Sequence, residues 1–205
     1  TYVGTLGDDA FPVEIVVKPG TYAETGFTLN KAITIRGESD DPADVIITHS
    51  GTGKRAFTLA HADARIENLT VGGSGAQGVN GGHVSMSAGT VRNCVIENGL
   101  GPNGGSADHR GANLFLEGGL VEDSVIKGGE ARRRTWGGNI CMTGGRVRRC
   151  RILNGVAASG ANLTSSGFES RGGGVYMSGG VVEDCVNAVG ADLNTASLPM
   201  IWQGM

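Results

Sequence analysis

Hydrophobic and polar positions follow the same order four times between Gly81 and Gly190. Within each copy, apolar residues alternate with other residues, which is the two-residue period of a β-strand with one buried face. A fixed period is typical of stacked repeats, in which each unit buries its apolar face only against its neighbours. The four copies read GGHVSMSAGTVRNCVIENG, GANLFLEGGLVEDSVIKGG, GGNICMTGGRVRRCRILNG and GGGVYMSGGVVEDCVNAVG.

Alignment of the four copies gives five columns that we expect to point into a shared core. Nearly every member is apolar, and the exceptions are a serine and an asparagine in the last two columns. The columns are Val84/Leu114/Ile140/Val175, Met86/Leu116/Met142/Met177, Val91/Val121/Val147/Val182, Cys94/Ser124/Cys150/Cys185 and Ile96/Ile126/Ile152/Asn187.

Two tight corners separate three short strands in each copy. The first corner is glycine-rich, as at Gly118-Gly119. The second falls at Asn93, Asp123, Arg149 and Asp184. Asparagine and aspartate tolerate left-handed backbone, so three of these four positions suit a sharp corner and Arg149 does not. Three strands, two corners and a variable return describe one coil of a parallel β-helix.

Less regular coils precede the four copies. Phe57–Leu59 and Ile66–Val71 keep part of the spacing, and Glu14–Val17, Phe27–Leu29 and Ile33–Ile35 have the alternation expected of strands in a first coil. No segment has the periodicity of an amphipathic helix.

We therefore predict an all-β fold, a single-stranded right-handed parallel β-helix of about six or seven coils. The β-helix domain spans residues 1–190, and residues 191–205 form a C-terminal tail. We expect this tail to cover the end of the helix or to contact a partner.

One outward row supports this register independently. The residue after the third apolar column changes sign in every successive coil, and opposite charges on neighbouring strands, about 5 Å apart, attract each other. Such a row selects against slipped registers more than it adds stability. Its members are Glu67, Arg92, Glu122, Arg148 and Glu183.

Composition and charge argue against two kinds of partner, nucleic acid and membrane. The chain has 205 residues, of which 37 are glycine, and a formal net charge of −3. This balance gives no electrostatic reason to expect nucleic acid or an anionic membrane as partner. No apolar run approaches the roughly 20 residues that cross a bilayer. We therefore expect neither nucleic-acid binding nor membrane insertion.

Cysteine spacing indicates no CxxC-type metal site. Cys94, Cys150 and Cys185 share one inward column, where a free cysteine packs as a small apolar residue. Cys94 and Cys150 lie two layers apart, about 10 Å at a strand spacing of about 4.8 Å, which is too far for a disulfide. Cys150 and Cys185 are the pair that could be bridged.

Other polar residues give no clear cofactor site. His49, His61 and His83 fall on different coils, and we expect them at the surface or in corners. The acidic run Glu38–Asp44 resembles a calcium-binding turn but lacks the ligand spacing of an EF-hand or a nonapeptide repeat. We predict a polar turn there, with calcium as the alternative, and no metal or other cofactor elsewhere.

The segments Val16–Tyr22 (VVKPGTY) and Ala32–Gly37 (AITIRG) resemble the first coil of the pectate-lyase-like right-handed β-helix superfamily. This superfamily includes pectate lyases, pectin methylesterases and many bacterial surface proteins. The Gly81–Gly190 repeats are similar to those of bacterial surface and autotransporter-type β-helices. The resemblance implies a bacterial protein that is secreted or lies at the cell surface.

The sequence also departs from that family. Only a few residues follow Asp8-Asp9 before the first strand, where relatives carry a helix that caps the core. The strand positions hold neither the aspartate pair of pectin methylesterases nor the acidic calcium cluster of pectate lyases. The resemblance therefore implies a fold and leaves the activity open.

Three variable returns leave the same corner of successive coils, at Leu100–Arg110, Glu130–Trp136 and Val156–Arg171. Loops on a rigid scaffold often carry function. Arginine forks fit carboxylate or sulfate and an indole face suits a sugar ring, so the predicted ligand is an acidic polysaccharide. The candidate ligand-binding residues are Arg132, Arg133, Arg134, Trp136 and Arg171, and the candidate catalytic residues for β-elimination are His109 and Arg110. The alternative is a set of solvated loops in which the arginines pair with Asp108, Glu130 and Glu169.

A second candidate surface is the outward column Ser85/Phe115/Cys141/Tyr176. Its last three members form an apolar stripe on a flat sheet, which would contact another chain or a ligand. Cys141 would then be accessible or covered only by a partner. The alternative is that a return or the C-terminal tail covers the stripe.

Two classes of function follow from these patterns. The first is a non-catalytic extracellular module with a structural, adhesive or self-assembling role, which associates as a homo-oligomer through coil ends or the Phe115/Cys141/Tyr176 stripe. The second is a polysaccharide lyase or acidic-glycan-binding protein that uses the arginine-rich corner.

Overall fold

Parallel strands stacked in three sheets form the body of the protein. The computed structural model describes residues 11–52, 54–101, 108–132, 134–157 and 172–188, and within them all regular structure is β-strand. The predicted tail, 191–205, lies outside the described residues. Strands are numbered in chain order, and the sheets are named A, B and C.

Each coil contributes one strand to each main sheet. Sheet A contains β1 (Val13–Val17), β4 (Ile33–Gly37), β7 (Arg65–Glu67), β10 (Thr90–Arg92), β14 (Leu120–Glu122), β19 (Arg146–Arg148) and β23 (Val181–Glu183). Sheet B contains β2 (Gly20–Tyr22), β5 (Val45–Thr52), β8 (Thr70–Gln77), β11 (Val95–Glu97), β15 (Val125–Lys127), β20 (Arg151–Leu153) and β24 (Val186–Ala188). Sheet C contains β3 (Phe27–Leu29), β6 (Phe57–Leu59), β9 (Val84–Met86), β13 (Leu114–Leu116), β18 (Ile140–Met142) and β22 (Val175–Met177).

Two small sheets lie in the returns between sheets B and C. One pairs β12 (His109–Arg110) with β17 (Thr135–Trp136), and the other pairs β16 (Glu130–Ala131) with β21 (Val156–Ala157). All strand pairs among the described residues are parallel, so each coil stacks on the previous one. The stacked coils form a right-handed-type β-solenoid. The prediction of an all-β parallel β-helix is confirmed.

The predicted register is confirmed column by column. Leu114 pairs with Val84 on one side and with Ile140 on the other, and Ile140 pairs in turn with Val175. The columns through Val121 and Ile126 pair in the same way. Because alternate residues of a strand face opposite sides, this register turns the apolar columns inward together.

The core consists of five successive closed layers. In each layer one inward side chain from each sheet is at most 8% exposed. This closed part amounts to about five turns, slightly fewer than predicted, because the strands of the first and last coils are only partly covered. The buried triplets are Leu29/Ile35/Ile47, Leu59/Ile66/Val71, Met86/Val91/Ile96, Leu116/Val121/Ile126 and Met142/Val147/Ile152.

A left-handed residue makes the corner between sheets A and B in five successive coils. Asn68, Asn93, Asp123 and Asp184 occupy this position, with φ between 46° and 57°. Arg149 adopts the same conformation at φ 51°, although arginine does not favour it. Its guanidinium compensates through contacts with the coil before it: Nε lies 2.7 Å from Asp123 Oδ1, and Nη2 lies 2.8 Å from Glu122 Oε2.

The alternating charge row is confirmed and is longer than predicted. Glu67, Arg92 and Glu122 are direct neighbours in sheet A, and Arg36 precedes Glu67 in the same row. Arg92 Nη2 lies 3.3 Å from a Glu67 oxygen, and Arg148 Nη2 lies 2.7 Å from Glu122 Oε2. A shift by one coil would bring like charges together, so the row favours a single stacking order.

The left-handed corner can be tested at Asn93. Alanine at this position keeps the positive φ but is strained there, whereas glycine adopts it freely. Both changes remove the Asn93 Nδ2 hydrogen bonds to Asp40 O and Asn68 Oδ1. We therefore expect Asn93→Ala to be less stable than Asn93→Gly by about 1 kcal/mol in chemical unfolding. Equal stability of the two variants would contradict a conformational requirement at the corner.

Candidate functional site

The variable returns stack on one another at a single corner of the solenoid. His109 pairs with Thr135 and Arg110 with Trp136, so the first return lies on the second. Leu100 forms a parallel bridge with Glu130, and Glu130 pairs with Val156 at the start of the third return. The expectation that the returns leave the same corner is confirmed for the described residues.

Two of the predicted ligand-binding arginines are ion-paired within this corner. Arg134 Nε lies 2.6 Å from Asp108 Oδ1, and Arg132 Nη2 lies 2.8 Å from Glu130 Oε2. The hydrogen bond that Arg132 donates to Glu130 raises the pKa of Arg132. Partial burial lowers this pKa, and the negative charge of Glu130 raises it further. An anionic ligand would have to compete with these carboxylates. Two further candidates, Arg133 and Arg171, lie outside the described residues.

Arg110 and three aromatic residues form what we call the arginine–aromatic cluster: Arg110, Phe115, Trp136 and Tyr176. The Arg110 guanidinium carbon lies 5.7 Å from the Phe115 ring centroid and 5.9 Å from that of Trp136. The Trp136 and Tyr176 centroids are 5.1 Å apart, with the rings inclined at 40°. These contacts are within the range of cation–π and aromatic pairing. Arg110, Trp136 and Tyr176 are half-buried.

The arginine–aromatic cluster corrects the expectation of an exposed stripe. Phe115 is 3% exposed and Cys141 is fully buried. The return strands β12 and β17 place Arg110 over Phe115, so part of this chain covers the outer face of sheet C. Burial raises the pKa of the Cys141 thiol to about 12, against the opposing charge of Arg110. Cys141 is therefore neither accessible nor dependent on a partner for its burial.

His109 lines a shallow depression with Leu100, Gly101 and Thr135 among its walls. Its volume of about 170 Å³, open solvent included, is below the roughly 300–1,000 Å³ of small-molecule sites. Desolvation lowers the pKa of His109, while the charge of Asp108 acts in the opposite direction. This shift favours the neutral imidazole, which can accept a proton, but the depression does not enclose a substrate.

A buried polar column runs beside the returns. Asn113 and Asn139, both fully buried, occupy equivalent positions in neighbouring coils, and Asn113 Nδ2 donates to Asn139 Oδ1 at 3.0 Å. Each amide oxygen accepts the N–H of a glycine at the start of its own return, Gly99 for Asn113 and Gly129 for Asn139. Each side chain therefore ties together the two ends of its return. We call this column, together with His83 in the preceding coil, the amide ladder.

His83 takes the same position one coil earlier. Its Nε2 lies 2.9 Å from Glu97 O, as Asn113 Nδ2 lies 2.9 Å from Lys127 O in the next coil. Because a carbonyl can only accept, Nε2 carries the proton. Burial lowers the pKa of His83 to about 4, which keeps the ring neutral.

His49 lies next to His83 and is also buried. Their ring centroids are 6.4 Å apart. Among the described residues, neither ring nitrogen of His49 has a hydrogen-bond partner, and His83 Nδ1 has none. The prediction of surface positions is wrong for both histidines: His49 lies within β5, and His83 lies at a bend directly before β9 but is fully buried. The repeats themselves indicate a buried polar position. His83, Asn113 and Asn139 form a column of polar residues directly before the first apolar column.

The acidic turn at Glu38–Asp44 uses its side chains to close the turn. Ser39 Oγ donates to Asp44 Oδ2 at 2.7 Å, and Asp41 Oδ1 accepts the N–H of Ala43 at 2.9 Å. Within the described part of the chain, no group of three or more histidine, cysteine, aspartate or glutamate residues is arranged to hold a metal ion.

The fold and the site together define a parallel β-solenoid in which the described returns fold back on the scaffold. A scan against family models and searches of curated proteins and of solved structures find no match to this chain. The described residues contain no helix long and apolar enough to cross a membrane.

The buried histidine predicts how stability depends on pH. In the unfolded chain His83 titrates near pH 6.5, and in the folded protein near 4, so the unfolded state binds the proton first as pH falls. The stabilisation is complete above pH 6.5 and declines towards pH 4, by about 3 kcal/mol from His83. His49 acts in the same direction, since burial lowers its pKa too.

The matched variant is His83→Asn, because asparagine fills the equivalent positions 113 and 139. We expect the variant to fold and to lose less unfolding free energy between pH 7 and pH 4.5 than the parent, measured by urea unfolding at each pH. The same pH dependence in both proteins would contradict the assignment of a buried neutral His83.

Proposed function

We propose that this chain is a non-catalytic β-solenoid module that acts as a structural, self-assembling unit. The rows along its strands are filled by residues that stack, turn or pair. Among the described residues, the depression beside His109 is too small to enclose a substrate, and Arg132 and Arg134 are paired within the chain. These features support a scaffold more than an enzyme.

The observation that carries this proposal is the opening of the core at the last coil. Met142 is fully buried, whereas Met177, its neighbour in the same inward column, is 44% exposed. Two other inward columns also emerge there, because Val182 and Cys185 are half-buried, whereas Val147 and Cys150 in the preceding coil are at most 1% exposed. The core therefore loses its cover at this end, and Val181 and Val186 add exposed apolar side chains on the outer faces of β23 and β24.

The strands at this end also have an unused edge. Among the described residues, β22, β23 and β24 pair with a strand on one side only. An open edge with apolar side chains is a template for another strand. The opposite end offers a matching edge, since among the described residues β1 also pairs on one side only and its inward Ile15 and Val17 are only partly buried. We propose that a second copy stacks head to tail on the last coil.

The resemblance of the first coil and of the repeats to pectate-lyase-like and bacterial surface β-helices supports placing this module outside the cell. Stacked solenoids in such a setting act as shafts or adhesive surfaces, which fits a role without catalysis. Localisation and assembly are separate parts of the proposal.

Assembly is tested by sedimentation velocity over a wide range of protein concentration. We expect the mean mass to rise with concentration. In Val186→Lys, a charge on the exposed edge should raise the concentration needed for association by about tenfold. Val95→Lys is the control, because it places the same charge in the same outward row of sheet B on β11, the middle strand of that sheet. A strict monomer at all concentrations would overturn the assembly proposal.

Acidic-glycan binding is the second candidate function, and the arginine–aromatic cluster favours it. Trp136 and Tyr176 present half-buried rings beside the guanidinium of Arg110. A sugar ring stacks on such aromatic faces, and a guanidinium suits its carboxylate or sulfate.

Tryptophan fluorescence tests this second candidate in a Trp202→Phe background, where Trp136 is the remaining indole. We expect saturable quenching by polygalacturonate and none by neutral dextran. Arg110→Gln should weaken binding about tenfold, whereas Arg151→Gln, an exposed arginine on sheet B, should leave it unchanged. The absence of saturable quenching would exclude this site. Formation of unsaturated, ultraviolet-absorbing product would instead identify a lyase.

A further inference from the structure

Two cysteines lie side by side where the last coil meets the one before it. Arg151 pairs with Val186 in sheet B, which places the preceding residues, Cys150 and Cys185, in neighbouring layers of one inward column. The N–H of Cys150 donates to Cys185 Sγ at 3.3 Å, and the N–H of Val186 donates to Cys150 O at 2.9 Å. The two thiols therefore occupy equivalent positions one layer apart.

No other pair of described cysteines lies in neighbouring layers of one column. The layer between Cys94 and Cys150 holds Ser124, whose Oγ accepts the N–H of Cys94 at 3.1 Å. Two layers correspond to about 10 Å, too far for a disulfide, whereas one layer of about 4.8 Å is within the Cα range of a disulfide. Cys141 faces outward from sheet C beneath the return strands.

We propose that Cys150 and Cys185 form a reversible dithiol–disulfide couple that fastens the C-terminal coil to its neighbour. The oxidant is a small-molecule disulfide such as glutathione disulfide. The Cys185 thiolate attacks one of its sulfurs and releases one glutathione thiolate. The Cys150 thiol then loses its proton and attacks Cys185 Sγ, which releases the second glutathione. Two protein thiols are oxidised and one glutathione disulfide is reduced to two thiols, so electrons and protons balance.

The environments of the two thiols assign their roles. Cys185 is half-buried, and its pKa is lowered because the Cys150 thiol and backbone N–H donate hydrogen bonds to its sulfur. Cys150 is 1% exposed, and its pKa is raised by the hydrogen bond that it gives to Cys185 and by burial. Cys185 is thus the attacking thiol and Cys150 the resolving one. Burial raises the pKa of Cys94 to about 12 and keeps it inert.

The position at the end of the solenoid permits the movement that a disulfide needs. Stacked Cβ atoms lie about 4.8 Å apart and bridged ones about 3.8 Å, so the last coil must approach by about 1 Å. Among the described residues, β24 pairs only with β20, and no further strand resists this shift. The bridge would join residues 35 positions apart, and closing that loop restricts the unfolded chain.

The test is oxidation of the full chain in glutathione redox buffers, followed by alkylation of free thiols and non-reducing peptide mapping by mass spectrometry. We expect one cross-linked peptide pair that joins Cys150 to Cys185. We also expect a rise in melting temperature of about 5–10 °C, reversed by dithiothreitol. Cys150→Ser and Cys185→Ser should abolish both effects, and Cys94→Ser should retain them.

Serine is a suitable replacement because Ser124 already occupies the same column. Far-ultraviolet circular dichroism of each variant confirms that the fold is kept. Free thiols at both positions in fully oxidising buffer, a bridge only between chains, or glutathione retained on Cys185 would each overturn the proposal. The experiment is done below any association concentration, so its outcome is independent of the proposed assembly.

Discussion

A single left-handed residue between sheets A and B sets the geometry on which the solenoid depends. It turns the chain sharply from one sheet to the next at the same position of each coil, as at Asn93 and Asp123. The alternating charge row lies one residue before this corner in sequence, and the inward cysteine column lies one residue after it. Because a one-residue slip would turn every apolar column outward, a fixed corner fixes the core as well. Arg149 keeps the conformation without the usual residue type, through its ion pairs to the coil before it.

The amide ladder fixes the position of the chain in each coil at the returns between sheets B and C. Asn113 binds the backbone at Gly99, where its return begins, and its own backbone ends that return. Its amide nitrogen also bonds to Lys127 O in the next coil. The length of chain between the two anchored ends is then free to vary without disturbing the stack. This explains why the repeats stay in register although their returns differ in length.

The sequence predicted those parts of the fold that repeat. Two-residue alternation and recurring glycine and asparagine positions specify strands, corners and register, and the structure confirms them from Val84 to Val182. The candidate site was less predictable because it depends on how non-repeating returns fold back. Nothing local shows that Arg110 packs over Phe115 and so helps to bury Cys141. His83 was expected at the surface or in a corner, because the burial of a polar side chain depends on partners that are distant in sequence, here Glu97 O.

The last coil differs from the others in several physical respects at once. The position that holds Asn113 and Asn139 is taken by Gly174, so the amide ladder has no side chain there. The inward column emerges from the core at Met177. A coil that loses polar anchoring and apolar cover together is the least stable part of a stack whose units support only their neighbours. Under the proposed function, that low stability is an advantage. A coil that is incomplete in one chain is completed by an added strand, and the core of the solenoid then continues across the junction.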